Sequence, residues 1–222
     1  VFDLDGTLVD SAPDIRAALN RTLAESGLKP VALPAVRRMI GDGAEQLVAR
    51  GYAARGEALQ GKALERRFRR FLEFYRGDGV ATLTRPYPGV VETLATLQAA
   101  GFRLGVCTNK PAVATRAVLE RLDLASYFAA TVSSDEVAVH KPDPSHLKAV
   151  LASLDVDARA AVMVGDNKND VVMARAARVA VVAVAYGYPG QDPASLGADL
   201  LIERFDRLPA ALRHLRGQEP LP

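Results

Sequence analysis

Val1-Phe2-Asp3-Leu4-Asp5-Gly6-Thr7-Leu8-Val9-Asp10 is an apolar run that ends in two carboxylates, a glycine and a hydroxyl. Side chains alternate across a strand, so Asp3 and Asp5 share a face if the strand runs on. Gly6 lets the backbone turn sharply just after them. The outcome is two acids at the mouth of a strand, beside backbone N–H groups freed by the turn. Such a place suits a divalent cation and a phosphate. Taken alone, Asp-x-Asp-Gly also reads as a plain turn, because Asp and Gly favour turns for their own reasons. The chain starts without Met, two residues before Asp3, whereas a buried strand commonly runs about 5–6 residues. Residues upstream of Val1 are therefore expected.

Outward from that stretch, the rest of the chain sets the frame. Its 222 residues are enough to bury a real core, as one domain with an insertion or as two small domains. A formal net charge of +2 gives no support for a nucleic-acid or membrane-surface partner. No apolar stretch approaches the length of a transmembrane helix, and no signal peptide is visible. The single Cys107 cannot form an internal disulfide and sits in an apolar run, so it reads as a buried, reduced thiol. The cytoplasm is the expected compartment.

The second half alternates regularly. Residues 102–107, 129–133, 161–164 and 179–185 are short, Val-rich runs without strict alternation, which reads as strands buried on both faces. Helical patterns at 88–100, 111–122, 143–154 and 168–177 lie between them. Residues 200–202 form a short last strand and 208–215 a closing helix. Strand–helix alternation with short links predicts a doubly wound parallel α/β sheet, Rossmann-like, whose ligands sit beyond the carboxyl ends of the strands. Residues 13–81 differ, showing helices only. Asp10 and Ser11 are placed to cap a helix that takes Pro13 in its first turn. Residues 33–40, 44–50 and 57–75 give three more helices. The expected organisation is a catalytic core of residues 1–12 and 82–222, interrupted by an all-helical cap domain at 13–81.

Three further signals fall at the predicted active edge. Thr108 and Asn109 follow the strand at 102–107, where a hydroxyl and an amide can bond phosphate oxygens. Lys141 follows the next strand, in His140-Lys141-Pro142-Asp143-Pro144, whose prolines fix the local backbone. Asp166 and Asp170, in Gly165-Asp166-Asn167-Lys168-Asn169-Asp170, stand four apart at the start of a helix, so both can face one side of its first turn. Hard oxygen ligands of this kind suit Mg²⁺. Each signal alone also reads as a cap or a surface charge. Four at one edge of one sheet read as a phosphate site with a metal.

Asp3-Leu4-Asp5-Gly6-Thr7, Thr108-Asn109, Lys141 and Gly165-Asp166-x-x-x-Asp170, in that order, resemble the four motifs of the haloacid dehalogenase superfamily of phosphohydrolases. The likeness covers essentially the whole chain. Ile40-Gly41-Asp42-Gly43, Leu47-Val48-Ala49-Arg50, Tyr87-Pro88-Gly89-Val90 and Tyr186-Gly187-Tyr188 are most similar to its phosphoglycolate-hydrolysing branch. The resemblance implies a nucleophile at Asp3, an acid–base group at Asp5, and phosphate binding by Thr108, Asn109 and Lys141. It implies Mg²⁺ held by Asp3, Asp5, Asp166 and Asp170. The substrate would be a small phosphorylated metabolite, and the protein a monomer or homodimer. In the cap, Gly43 at a helix N-terminus and Arg50 are candidates to hold a carboxylate of the leaving group. Asn167-Lys168 stand where Ser-Arg is common, and Arg178 where a glycine often ends the helix. A sugar-phosphate mutase, a phosphatase of another small ester, a phospho-receiver and a non-catalytic phosphate-binding module are the alternatives. The Arg66-Arg67-Arg69-Arg70 cluster reads as a solvated helix face.

Overall fold

Valine-rich segments line up in parallel at the centre of the molecule. The computed structural model describes residues 1–76 and 81–217. Residues 77–80 of the expected cap and 218–222 of the expected core lie outside the described residues. In chain order the elements are β1 (Val9–Asp10), α1 (Ala12–Ala24), α2 (Leu33–Arg37), α3 (Ala44–Ala53), α4 (Gly61–Tyr75), β2 (Arg85–Pro86), α5 (Val90–Ala99) and β3 (Gly105–Cys107). Then follow α6 (Ala112–Arg121), β4 (Ala130–Val132), α7 (Pro144–Leu154), β5 (Val162–Gly165), α8 (Lys168–Ala176), β6 (Ala180–Val184), β7 (Leu200–Ile202) and α9 (Leu208–Leu215).

Phe2 bridges Val106 of β3 on one side and Val164 of β5 on the other, both in parallel. β3 pairs with β4, β5 with β6 and β6 with β7, again in parallel. The order is therefore β4, β3, the Phe2 segment, β5, β6, β7, with the opening stretch at the centre. Successive side chains of these strands enter opposite layers. Val106, Val164, Val182 and Val184 pack with Leu94 of α5 and Ala211 of α9, while Cys107, Met163, Val181 and Ala183 pack with Leu147 of α7 and Ala174 of α8. Helices cover both faces, which is the doubly wound parallel α/β fold read from the sequence. Fully burying one Val or Leu contributes about 1.5–3 kcal/mol, so a polar residue at any of these strand positions would be disruptive.

α1 to α4 share a third cluster built from Leu19, Leu23, Val48, Tyr52, Phe71 and Tyr75, which Ala114 of α6 joins. β1 and β2 pair antiparallel, Val9 with Pro86 and Asp10 with Arg85, where the helical segment leaves and rejoins the sheet. Buried Asp14 secures the return by accepting hydrogen bonds from the Leu83 and Thr84 N–H groups and the Thr84 hydroxyl. Among the described residues no helix is long and apolar enough to cross a membrane.

Several boundaries differ from the sequence reading. Ser11 stands at the N-cap of α1 but makes no capping bond; its hydroxyl donates to Asp5 Oδ1 at 2.6 Å instead. The helix expected from residue 57 begins at Gly61, because Gly56 turns at φ +86° and Glu57 still closes the end of α3 through the Tyr52 carbonyl. α2 stops at Arg37, and α3 runs on to Ala53. Arg178 does take a left-handed conformation, φ +58°, after α8. Val179 N–H bonds the Ala174 carbonyl and Arg178 N–H that of Arg175, the pattern that normally favours glycine.

Candidate active site

The strand ends that the topology brings together carry Asp3 after Phe2, Thr108 after β3, Lys141 beyond β4 and Asp166 after β5. Asp3 is 4% exposed. Its Oδ1 accepts from the Leu4 N–H at 2.7 Å and pairs with Lys141 Nζ at 2.8 Å. Lys141, 1% exposed, pairs equally with Asp170 Oδ1 at 2.8 Å. The other oxygen of Asp170 accepts from the Asp166 and Asn167 N–H groups, completing a capping box with Asn167 at the start of α8. Behind Lys141, buried His146 accepts the Lys141 N–H on Nδ1, and its Nε2 faces the Val132 carbonyl. Burial pushes the His146 imidazole down to about 4, so the ring is neutral.

Asp166 is held from two sides. The Thr7 hydroxyl donates to Oδ1 at 3.1 Å and the Tyr188 N–H to Oδ2 at 2.6 Å. Glycines make the room. Gly6 turns at φ +92°, and a Cβ there would meet Asp166 Oδ2 at 2.4 Å. A Cβ on Gly187 would meet Asp166 Cβ and the Gly6 carbonyl, each at 2.4 Å, and one on Gly165 would meet Asp170 Cβ at 2.4 Å.

One oxygen each of Asp3, Asp166 and Asp170 lie within 4.8 Å of one another, all three residues buried. Three carboxylates face one ammonium, an excess of negative charge in a medium that penalises it. Burial, then the charge of Asp170 and Asp5, push Asp3 up to about 7 against the pull of Lys141. Burial, then Asp3 and Asp170, likewise raise Asp166. Burial opposes the charge on Lys141, but Asp170 and Asp3 outweigh it and raise its pKa. An all-oxygen cluster with surplus negative charge fits a hard divalent cation.

Asp5 opens onto a cavity between the strand ends and the helical segment. Asp3, Thr108, Asn109 and Gly43 also line it. The Thr108 hydroxyl oxygen accepts from the Lys110 N–H, leaving its own hydrogen to donate. Asn109 serves differently from expectation. Its Nδ2 donates to the carbonyls of Gly41 at 2.9 Å and Lys141 at 3.0 Å, and its buried Oδ1 has no partner. The side-chain amide thus ties the Gly41-Asp42-Gly43 loop to the core. Gly43 precedes α3 at φ +91°. Arg50 is not brought to the cavity: it is bonded to Asp42 and to the Met39 carbonyl, and half exposed. In the Arg66-Arg67-Arg69-Arg70 cluster, Arg69 pairs with Glu65, and Arg70 with Glu25 and Glu73, at the surface.

Lys110 and Tyr75 escaped the sequence reading. Lys110 Nζ lies 3.0 Å from both Asp5 oxygens and donates to the Tyr75 hydroxyl at 2.7 Å. Burial disfavours its charge, and Asp5 with Tyr75 outweighs that, raising its pKa; burial pushes Tyr75 up to about 12. The available signal for Lys110 was a lysine directly after Thr108-Asn109 at a strand end. For Tyr75 it was a polar tip on an otherwise apolar helical stripe. A second missed link joins Arg37 of α2 to Asp10 at 2.8 Å and Asp10 to the Tyr188 hydroxyl, whose backbone N–H holds Asp166.

The sequence profile described as "Haloacid dehalogenase-like hydrolase" matches residues 1–184. The chain is 48% identical over 212 residues to a phosphoglycolate phosphatase of Rhodospirillum rubrum, covering 94% of this chain and 88% of that one. It is 42% identical to a phosphoglycolate phosphatase of Caulobacter vibrioides, covering 100% and 93%. Among solved structures, a predicted phosphoglycolate phosphatase from Haemophilus somnus superposes with a TM-score of 0.89 at 29% identity, covering 95% and 96%. CbbY from Rhodobacter sphaeroides, in complex with phosphate, gives 0.73 at 25% identity, covering 93% and 94%.

Proposed function

The chain belongs to the haloacid dehalogenase-like hydrolase family and is a phosphatase, and we propose that it hydrolyses 2-phosphoglycolate through an aspartyl-phosphate, with Mg²⁺ as cofactor. The observation that carries this reading is the meeting of Asp3, Lys141, Asp166 and Asp170 in one buried cluster beside a cavity that Asp5 faces. The relatives' names support phosphoglycolate as the ester.

Uncatalysed hydrolysis of phosphate monoesters is so slow that acceleration reaches up to ~10²¹. One general acid supplies about 10²–10⁴ of that, so several groups must act together. Asp3 attacks phosphorus, forming the Asp3–phosphorus bond as the bond to the leaving oxygen breaks. Asp5 gives that oxygen a proton. The Asp5 carboxylate then takes a proton from a water that attacks phosphorus, and phosphate departs from Asp3. Lys141 offsets the repulsion between Asp3 and the anionic ester, and the Thr108 hydroxyl donates to a phosphoryl oxygen. The Asp3 carboxylate, the Asp5 main-chain carbonyl and Asp166 would hold Mg²⁺, with Asp170 supporting; when bound it supplies Lewis-acid charge to the phosphoryl group. Residues 13–81 act as a cap that closes the cavity against bulk water.

A phosphate-release screen over phosphoglycolate, sugar phosphates, nucleotides and pyrophosphate, with Mg²⁺ and with EDTA, tests the reading. The expected result is Mg²⁺-dependent release, greatest with phosphoglycolate. Asp3→Asn should lose turnover by 10³-fold or more while the fold persists. Full activity in that variant, or in EDTA, would overturn the scheme.

A further inference from the structure

Among the described residues lining the cavity, Lys110 is the only cationic one. It is 5% exposed and Tyr75 is 3% exposed, so both meet whatever occupies the cavity without competition from bulk water. Because Lys110 donates to the Tyr75 oxygen, the phenol keeps its own hydrogen to donate, and among the described residues that hydrogen has no acceptor. A buried donor without an acceptor is disfavoured, and the shortage is met by an acceptor on a ligand. The remaining far wall, including Ile15, Leu47, Phe71 and Leu72, is apolar. It offers a neutral leaving group only packing, and it strengthens any charge pair formed beside it.

Position supplies the second constraint. Lys110 Nζ is 3.0 Å from both oxygens of Asp5, the group facing the ester oxygen in the scheme above. A ligand atom beside Lys110 and Tyr75 therefore lies close to that ester oxygen. In phosphoglycolate the carboxyl carbon is two bonds from it. Of the two cap features first considered, Arg50 is turned away onto Asp42, while Gly43 lines the cavity but brings no side chain and no charge to it.

We propose that Lys110 and Tyr75 together form the site for an acidic group of the substrate, a carboxylate carried close to the ester oxygen. Lys110 supplies the charge from the core and Tyr75 a directed O–H from the end of α4, so that the site is complete only with the helical segment in place. This assignment rests on the phosphatase reading and adds the chemical class of leaving group.

The test compares kcat/KM for phosphoglycolate and for ethyl phosphate, its neutral counterpart of equal carbon number, in wild type, Tyr75→Phe and Lys110→Met. One hydrogen bond to a charged group corresponds to roughly tenfold or more. The ratio of the two substrates is expected to fall about tenfold in Tyr75→Phe and further in Lys110→Met. A ratio within twofold of wild type in both variants overturns the proposal, since a purely structural role lowers both substrates together. A second pair, 3-phosphoglycerate against glycerol 3-phosphate, separates the two readings. If wild type favours the acidic ester only in that pair, phosphoglycolate fails as substrate, and the same variants still decide the site by that ratio. If wild type favours neither acidic ester, the site is overturned while phosphatase activity stands.

Discussion

Lys141 and Arg69 each hold a carboxylate at salt-bridge distance, in opposite surroundings. Lys141 sits 2.8 Å from Asp3 with the side chains 1% and 6% exposed; Arg69 sits 2.7 Å from Glu65 with 70% and 57%. The distances hardly differ, so distance does not decide what a pair is worth. At the exposed pair, water and salt screen the attraction and two long side chains lose freedom to make it. At the buried cluster, desolvating three carboxylates and an ammonium opposes folding, and the attraction has to offset it. The outer face of α4 uses charge for solubility, at little gain or loss. The strand ends hold charge where it burdens the fold, in the place where a metal and a phosphoryl group can use it.

The sharpest way to break this contrast is to remove the buried cation. Lys141→Met leaves Asp3 and Asp170 without their common partner. Urea melts of the metal-free variant at neutral pH should show a loss of about 3–5 kcal/mol. A loss below about 1 kcal/mol would mean that water reaches the cluster freely.

The next effect has the opposite sign. The folded protein binds the Asp3 proton more tightly than the unfolded chain does, since its carboxyl is raised from 3.8 to about 7. Protonation of Asp3 therefore favours the fold fully below about pH 4, and that contribution disappears as pH rises through about 7. In metal-free protein, Asp3→Asn should be at least as stable as wild type at pH 8, by up to about 4 kcal/mol, and the difference should shrink toward pH 4. A variant that gains stability only as pH rises is the signature of a carboxylate whose charge the fold itself does not favour. An Asp3→Asn difference that does not change between pH 4 and 8 would contradict it.

The smallest effect is at the surface. Arg69→Ala breaks an i,i+4 pair, and its thermal melt should change by less than about 0.5 kcal/mol and vanish further in high salt. A larger change would show that α4 depends on this pair and would erode the contrast.

The sheet was legible because its signals are local. Runs such as 161–164 and 179–185 carry their burial in their own composition, and each motif residue stands next to the strand that presents it. Asp3, Asp5, Thr108 and Asp166 could thus be read from short windows. Asn109 could be placed but not understood, since its amide bonds carbonyls 68 and 32 residues away. Tyr75 and Lys110 lie 35 residues apart and meet only when α4 docks over the end of β3. Arg50 failed for the same reason in reverse. Asp42, eight residues earlier on the chain, takes up its charge once Gly41 and Gly43 fold the loop back. Periodicity reports which face of an element is buried; it does not report which polar tip meets which.

Gly6, Gly165 and Gly187 bear on how this protein tolerates change. Each leaves empty the volume that a neighbouring carboxylate, or the backbone beside it, occupies. Loss of a working group is the usual route to an inactive enzyme. Here the gain of a single methyl would serve as well, most directly at Gly187, where Asp166 Cβ and the Gly6 carbonyl both stand 2.4 Å from the added atom. In a library of random variants, inactivating substitutions should therefore cluster at residues that bear no chemistry at all, and a map of tolerated changes would outline the site by its hollows as clearly as by its acids.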